Sequence, residues 1–223
     1  MKLHFIALGL LMIVGISSLS AQVKVGAEAG ANLSGFVGNG SSPSVKGNLQ
    51  AGYQVGLTVD YESDSRWVWI SGLSFVQKRG DLKLGHNYAD GSQMMTYPKV
   101  ETRINYLRVP LKLGYDFRIR NAFNLVPSIG VYVAYGLDAG TCELDKRNES
   151  GEVQSINWKP LHGKKEHGLD AFRRWDWGGT VGLKAVMSNH YTVAFDYSLG
   201  IMKSQTTYGL RNSTYQLSVG YRF

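Results

Sequence analysis

The chain has 223 residues, with 24 Lys and Arg against 17 Asp and Glu, a formal charge of +7. One domain fits this length, and the single cysteine, Cys142, excludes both an internal disulfide framework and a multi-cysteine metal site. The moderate basic charge suits a phosphate-bearing partner without naming one, and 27 glycines with 13 tyrosines spread along alternating segments point to an all-β chain.

In chain order, Met1 and Lys2 precede an almost wholly apolar run over residues 3–16. Ser17, Ser18, Leu19, Ser20 and Ala21 follow. This is the layout of a cleavable secretory signal, and the apolar run is too short for a spanning helix. Cleavage is expected after Ala21, leaving residues 22–223 as the mature domain. A cut after Ser20 is the alternative, because Leu19 is not ideal three positions before the cut. No cysteine follows the cut, so a lipid anchor is not expected. A buried N-terminal helix is the competing reading, and the lack of any polar face opposes it.

Eight segments then alternate: 23–33, 53–61, 67–75, 107–117, 123–135, 175–185, 191–201 and 215–223. Odd positions carry the apolar side chains, for example Val23, Val25, Tyr53, Leu57, Leu107, Val109, Ile129, Val193 and Phe195. Even positions carry Lys24, Glu28, Gln54, Asp60, Lys112, Lys184 and their like. Strict alternation is the strand signature. Segments of about ten residues match strands crossing a bilayer at a tilt.

A soluble sandwich alternates too, so the two faces decide the environment. The apolar face ends in aromatics: Tyr61, Trp67, Phe117, Phe123, Tyr191, Tyr221 and Phe223. Such residues form the interfacial girdle of a membrane barrel. The polar face mixes charges with Gly26, Gly52, Gly56, Gly72, Gly178, Gly182 and Gly220, as a narrow lumen requires. Gaps near 62–66, 118–122 and 188–190 read as short turns. Those near 37–48, 80–99 and 138–173 read as long loops, and that near 202–211 as a moderate one. The expected fold is an all-β, eight-stranded antiparallel up-and-down transmembrane β-barrel in the cell outer membrane. Both chain ends would lie on the periplasmic side. Pro110 and Pro127 fall inside predicted strands and cannot donate to the ladder, so a local bulge is expected at one or both.

The even face predicts a lumen charge network: Lys24, Arg108, Lys112, Lys184 and Arg222, with Lys78, against Glu28, Asp60, Asp116, Asp176 and Asp196, with Glu62. Unpaired charges in so small a space are costly, so salt bridges are expected. A structural plug is the favoured reading, and a proton or small-solute path the sharper one. No catalytic, cofactor or metal residues are assigned. His86, His162 and His167 fall in long loops and His190 in a turn, none on a strand beside a same-face serine. A surface metal site of His162 and His167 with Glu166 or Asp170 is the weaker alternative to a solvated loop. The stretch "WKPLHGKKEHGLDAFRRW" sets Lys159, Lys164, Lys165, Arg173 and Arg174 among Trp158, Phe172 and Trp175. It would meet lipid phosphates or a protein ligand, with a solvated, mobile loop as the equal alternative; nucleic acid is not expected at this location.

The stretch "INYLRVPLKLGYDF", residues 104–117, resembles a hallmark of the PorT-like outer-membrane β-barrel family of Bacteroidota. "GLSFVQKRG", "WDWGGTVGLKA" and "YQLSVGYRF" are similar to neighbouring strands of that family. Arg79 before Gly80 and the long 138–173 loop depart from its simplest pattern. The resemblance implies a small outer-membrane barrel without a catalytic motif. One namesake is associated with protein export through the type IX secretion system, so secretion components join outer-membrane lipid and lipopolysaccharide as expected partners. The terminal strand, with Tyr221 and Phe223, resembles the signal read by the outer-membrane assembly machinery. The functional expectation is a non-enzymatic, plugged barrel that anchors, adheres or serves a secretion assembly. A porin-like small-solute channel or a lipid-modifying enzyme is the alternative.

Overall fold

Alternation of apolar and polar residues becomes strand throughout. The structure, a computed structural model, describes residues 22–38, 45–85, 96–120, 122–137, 141–147, 153–159, 173–202 and 210–223. The proposed signal at 1–21, three histidines (His86, His162, His167) and most of the 138–173 loop lie outside the described residues. The strands are β1 (Val23–Gly38), β2 (Val45–Glu62), β3 (Trp67–Gly85), β4 (Thr96–Tyr115), β5 (Phe117–Arg120), β6 (Phe123–Gly136), β7 (Thr141–Arg147), β8 (Val153–Trp158), β9 (Trp175–Met187), β10 (Tyr191–Gly200) and β11 (Leu210–Arg222).

Eight of these close a wall in the order β1-β2-β3-β4-β6-β9-β10-β11, every neighbour antiparallel. Closure runs from Gly26 opposite Arg222 to Gly38 opposite Leu210, pairing the first strand with the last. Among the described residues no edge is left in that wall, so its backbone groups pair from strand to strand rather than facing lipid unpaired. β5 continues β4 beyond Asp116 and pairs with β6. β7 and β8 form a hairpin laid on the outer half of β4. Among the described residues no helix is long and apolar enough to cross a membrane; the strands do the crossing.

The strands are longer than the sequence pattern predicted. β1 and β2 reach Gly38 and Val45, β3 and β4 reach Gly85 and Thr96, and the 138–173 stretch contains β7 and β8. In these extensions the backbone pairing continues past the strictly alternating segments that marked the strands in the sequence. The expected turn at 118–122 is in part strand β5.

The expected bulges at Pro110 and Pro127 are absent. Pro110 stands opposite Tyr132, and Pro127 opposite Leu183, in unbroken register. On its other side Pro110 falls in a gap of the β3–β4 ladder, where Ser71 pairs with Leu111 and Ser74 with Arg108 without a shift. Ser71 Oγ donates to Pro110 O at 2.9 Å across this gap. Pro127 lies in the matching gap, between Gly114 opposite Ser128 and Phe117 opposite Leu125, where β4 gives way to β5. Each proline turns its missing donor toward a place where no partner carbonyl is required, so neither needs an extra residue. The register shifts lie elsewhere, at 49–54, 82–84 and 118–120.

Burial is inverted relative to a soluble domain. Among the described residues twenty polar or charged side chains are buried, against ten hydrophobic ones. The outer wall carries Leu33, Val55, Leu57, Leu111, Ile129, Val131, Leu183, Leu217 and Val219, all exposed. Water does not tolerate such a continuous apolar jacket on a monomer, and a lipid bilayer does. Ten steps of about 3.3 Å each at a tilt of about 40° cover about 25 Å, the height of the apolar band of such barrels.

Candidate functional site

The candidate site is the lumen, built by even-numbered residues from all eight wall strands. Its contents are layered. Toward the loop end, Lys78 Nζ bonds Asp176 Oδ2 at 2.8 Å. The same oxygen accepts from Asn212 Nδ2 at 2.9 Å and Tyr132 Oη at 3.3 Å. Lys78 also lies over the rings of Tyr106 and Tyr132, 5.1 and 5.2 Å from their centroids. One carboxylate thus ties β3, β6, β9 and β11 together.

At mid-height Arg108 holds the centre. Its guanidinium lies 4.5 Å from the Tyr132 centroid. It donates to Ser198 Oγ at 2.7 Å and to Gln216 Oε1 on the opposite wall. Gln216 in turn donates to Gln54 Oε1. Below this layer Lys112 Nζ meets Asp196 Oδ1 at 2.6 Å. Lys184 Nζ meets both oxygens of Asp60 at 2.8 Å. β9 and β2 are four places apart in the ring of eight, so the Lys184–Asp60 pair spans the full lumen. Arg222 joins the same group through Asp60, at 3.9 Å, and through Glu62.

The lumen ends in an apolar stopper at the short-turn side. Val68, Ile70 and Val126 are buried together there. Among the Arg108, Lys112–Asp196 and Lys184 groups lies a small cavity of about 30 Å³, lined by Glu28, Arg108, Lys112, Lys184, Asp196 and Gln216 among others. That is room for one or two waters.

Each sequence-predicted network residue finds a distinct place. Arg108, Lys112, Lys184, Arg222, Asp60, Asp176 and Asp196 interlock across the lumen as described. Asp116 is buried but bonds locally, to Asn124 Nδ2 at 3.1 Å and Arg118 Nε at 3.3 Å. Glu28 accepts from Ser218 Oγ at 3.4 Å, lines the same cavity as Arg108, and forms no ion pair among the described residues. Lys24 is half-buried opposite Asp60 in the ladder and forms no ion pair among the described residues. Sequence reasoning set Gln54, Ser198 and Gln216 on the polar face without assigning them to the network, and missed Tyr106, Tyr132 and Asn212. Their even positions were the available signal, but two tyrosines on the polar face read as noise until a lysine lies over them.

Gly182 shows how the narrow wall is fitted. It stands opposite Asp196 in the ladder, and a Cβ there would run into Asp196 Oδ1. The space a side chain would take is the space in which the carboxylate reaches Lys112.

His190 Nδ1 lies 3.0 Å from Arg222 O, and its ring stacks on Tyr221 at 5.5 Å. Among the described residues no cluster of three His, Cys, Asp or Glu side chains is placed to hold a metal ion. The candidate ligands His162, Glu166, His167 and Asp170 lie outside the described residues. At the closing seam, Phe223 N donates to Val25 O at 2.8 Å. Tyr221 packs edge-on against Tyr191 and Phe223, at 5.6 and 5.5 Å.

Comparison with known proteins places this barrel. No curated protein matches the chain. Among solved structures, Ail, the attachment invasion locus protein of Yersinia pestis, is 16% identical, over 91% of this chain and 99% of Ail, with a TM-score of 0.41 for its complex with the heparin analogue sucrose octasulfate. OprG of Pseudomonas aeruginosa is 16% identical, over 91% of this chain and 96% of OprG, with a TM-score of 0.47. The outer membrane enzyme PagL is 11% identical, over 88% of this chain and 97% of PagL, with a TM-score of 0.41. The model of the outer membrane protein beta-barrel domain matches residues 6–223. An apolar jacket, a polar interior and a match along nearly the whole chain agree: the protein belongs to the outer membrane protein beta-barrel domain family, and its eight-stranded wall lies in the outer membrane.

Proposed function

We propose that the protein is a non-enzymatic outer-membrane scaffold with a closed lumen, its work done on the surface it presents at the loop end. The observation that carries this reading is the set of polar contacts between opposite walls. Lys184 with Asp60, and Arg108 with Gln216, each bridge the lumen, and Lys78 with Asp176 and Lys112 with Asp196 cross most of it. A solute would have to break buried ion pairs in sequence, and removing one partner of such a pair costs about 3–5 kcal/mol. Eight strands leave an interior that side chains fill; diffusion pores use about twice that number. Purified protein in planar bilayers tests this. Silence over a long recording is expected, and steady, discrete conductance would overturn the closed lumen in favour of a small-solute channel.

The same proposal covers the finer assignment to the PorT-like proteins. The Tyr-Leu-x-Val-Pro-Leu stretch lies in β4, where its residues have structural work. Tyr106 is buried against Lys78, while Leu107, Val109 and Leu111 face lipid. Pro110 occupies the ladder gap. A signature with these duties specifies a barrel rather than an activity, which supports a scaffolding role in a secretion or adhesion assembly. Crosslinking and pull-down from the native outer membrane tests the partner. Recovery of type IX secretion components supports the secretion role. Their absence, with efficient crosslinking to lipopolysaccharide or to another surface protein, removes it.

A further inference from the structure

The outer wall is not the same at its two ends. On β3 the outward residues from the turn end are Trp67, Trp69, Ser71, Leu73, Phe75, Gln77 and Arg79. On β4 they are Tyr115, Leu113, Leu111, Val109, Leu107, Asn105 and Arg103. The ladder pairs Phe75 with Leu107, Gln77 with Asn105, and Arg79 with Arg103. Polarity thus rises stepwise from apolar, to neutral, to cationic. Gln77 Nε2 donates to Asn105 Oδ1 at 3.3 Å in the middle step. The twelve-residue rise from Trp67 to Arg79, at about 3.3 Å each and about 40° tilt, spans about 30 Å. Arg79 and Arg103 therefore stand just past the hydrocarbon, at headgroup depth.

Two more outward arginines, Arg173 and Arg211, are exposed at this end. They are spread around the rim: the register sets Arg211 opposite Val37, and Arg173 lies two residues before Trp175, the first residue of β9. At the turn end the outward strand positions are aromatic or aliphatic, with Tyr61, Trp67, Phe117, Ile119, Phe123, Tyr191 and Phe223.

The Arg79–Arg103 pair goes further than a rim charge. Like charges directly opposite in a ladder are destabilising. The buried inward neighbours Lys78, Gly80, Thr102 and Ile104 fix both arginines on the outer face. An anion between them turns the repulsion into two forked, charge-assisted contacts, a geometry suited to phosphate. The outward pairs next to the arginines on the turn side are Gln77 with Asn105 and then Phe75 with Leu107, so the arginines border the membrane, where lipid headgroups lie.

We propose that Arg79 and Arg103 form a clamp for a phosphate of the phosphorylated glycolipid of the outer leaflet. The clamp rests on the barrel's place in the outer membrane and not on the closed lumen, so a conducting barrel would leave it standing. The test is retention of bisphosphorylated lipid A by purified protein in native mass spectrometry. Dephosphorylated lipid A, phosphatidylglycerol and inorganic phosphate serve as parallel probes. Wild type is expected to retain bisphosphorylated lipid A over the other three. Each of Arg79→Gln and Arg103→Gln should weaken retention about tenfold, and the double variant more, since each forked contact to a charged group contributes on that scale. Arg118→Gln, exposed at the other end, should leave retention unchanged. Each variant's gel mobility before and after boiling verifies its fold, and Arg103→Lys gives a gentler second variant, expected to fall between wild type and Arg103→Gln. Equal retention by wild type and the double variant would overturn the clamp. So would retention of phosphatidylglycerol matching that of lipid A, or displacement of lipid A by millimolar inorganic phosphate.

Discussion

Replacing Asp60 with asparagine keeps the shape of the side chain and removes the carboxylate that Lys184 spans the lumen to reach. Both side chains are almost fully buried, and Lys184 Nζ lies 2.8 Å from each Asp60 oxygen. At that distance, with an effective dielectric constant of about 20, the attraction is about 6 kcal/mol before desolvation. Desolvation consumes much of it, yet a buried charge stripped of its partner still costs about 3–5 kcal/mol. Asp60→Asn should therefore lower the unfolding free energy by about 3 kcal/mol or more, because Arg222 Nε also approaches Asp60, at 3.9 Å. Lys184→Met should cost less than Asp60→Asn, since Asp60 keeps Arg222. The double variant should fall short of the sum by about 2–3 kcal/mol, the coupling expected of residues in direct contact. Reversible urea unfolding in lipid vesicles is the assay. Trp67, Trp69, Trp175 and Trp177 on the lipid-facing wall report the loss of structure by fluorescence. Single-variant losses below about 1 kcal/mol, or a strictly additive double variant, would refute an interlocked lumen.

Two further predictions concern the wall and its assembly. Gly182→Val should push Asp196 away from Lys112 and destabilise the barrel by about 1–3 kcal/mol in the same unfolding assay. Gly179→Val, where a Cβ meets nothing within 4 Å, should be close to neutral; equal effects of the two would refute the fitted lumen. Deletion of Phe223 should lower the amount of protein in the outer membrane while leaving the urea midpoint of the assembled fraction little changed. Phe223 is 74% exposed and adds one closing hydrogen bond, to Val25 O. Normal outer-membrane levels after the deletion would remove its proposed role as an assembly signal.

Much of the wall was legible because one rule governs it. In segments such as 215–223 each step of one residue swaps lipid for lumen, so polarity alternates without exception. The charged lumen residues were legible for the same reason, as even-numbered charges in apolar-flanked strands. Three things were not. The upper reaches of β2, β3 and β4 lie past the strictly alternating segments, so residues such as Lys46 and Thr102 belong to strands that the alternation did not mark. The roles of Pro110 and Pro127 depend on which neighbour's ladder is interrupted, and that is set by pairing between distant segments. The identity of partners inside the lumen depends on which strands stand opposite after closure. Lys184 and Asp60 are 124 residues apart, and no local pattern joins them. Tyr132 illustrates the same limit: its value lies in the Lys78, Arg108 and Asp176 that converge on it from β3, β4 and β9.

The central claim is that odd positions of the wall face lipid and even positions face a filled lumen. Nitroxide scanning of β11 in lipid vesicles tests both halves at once, with single cysteines at 215–222 in a Cys142→Ser background. Collision with oxygen, which partitions into lipid, should peak at 215, 217, 219 and 221. Collision with a water-soluble nickel chelate should stay low at 216, 218 and 220, because Gln216 and Ser218 are buried among packed side chains. High chelate access at these even positions would contradict the filled lumen, and loss of the two-residue oxygen period would contradict the barrel itself.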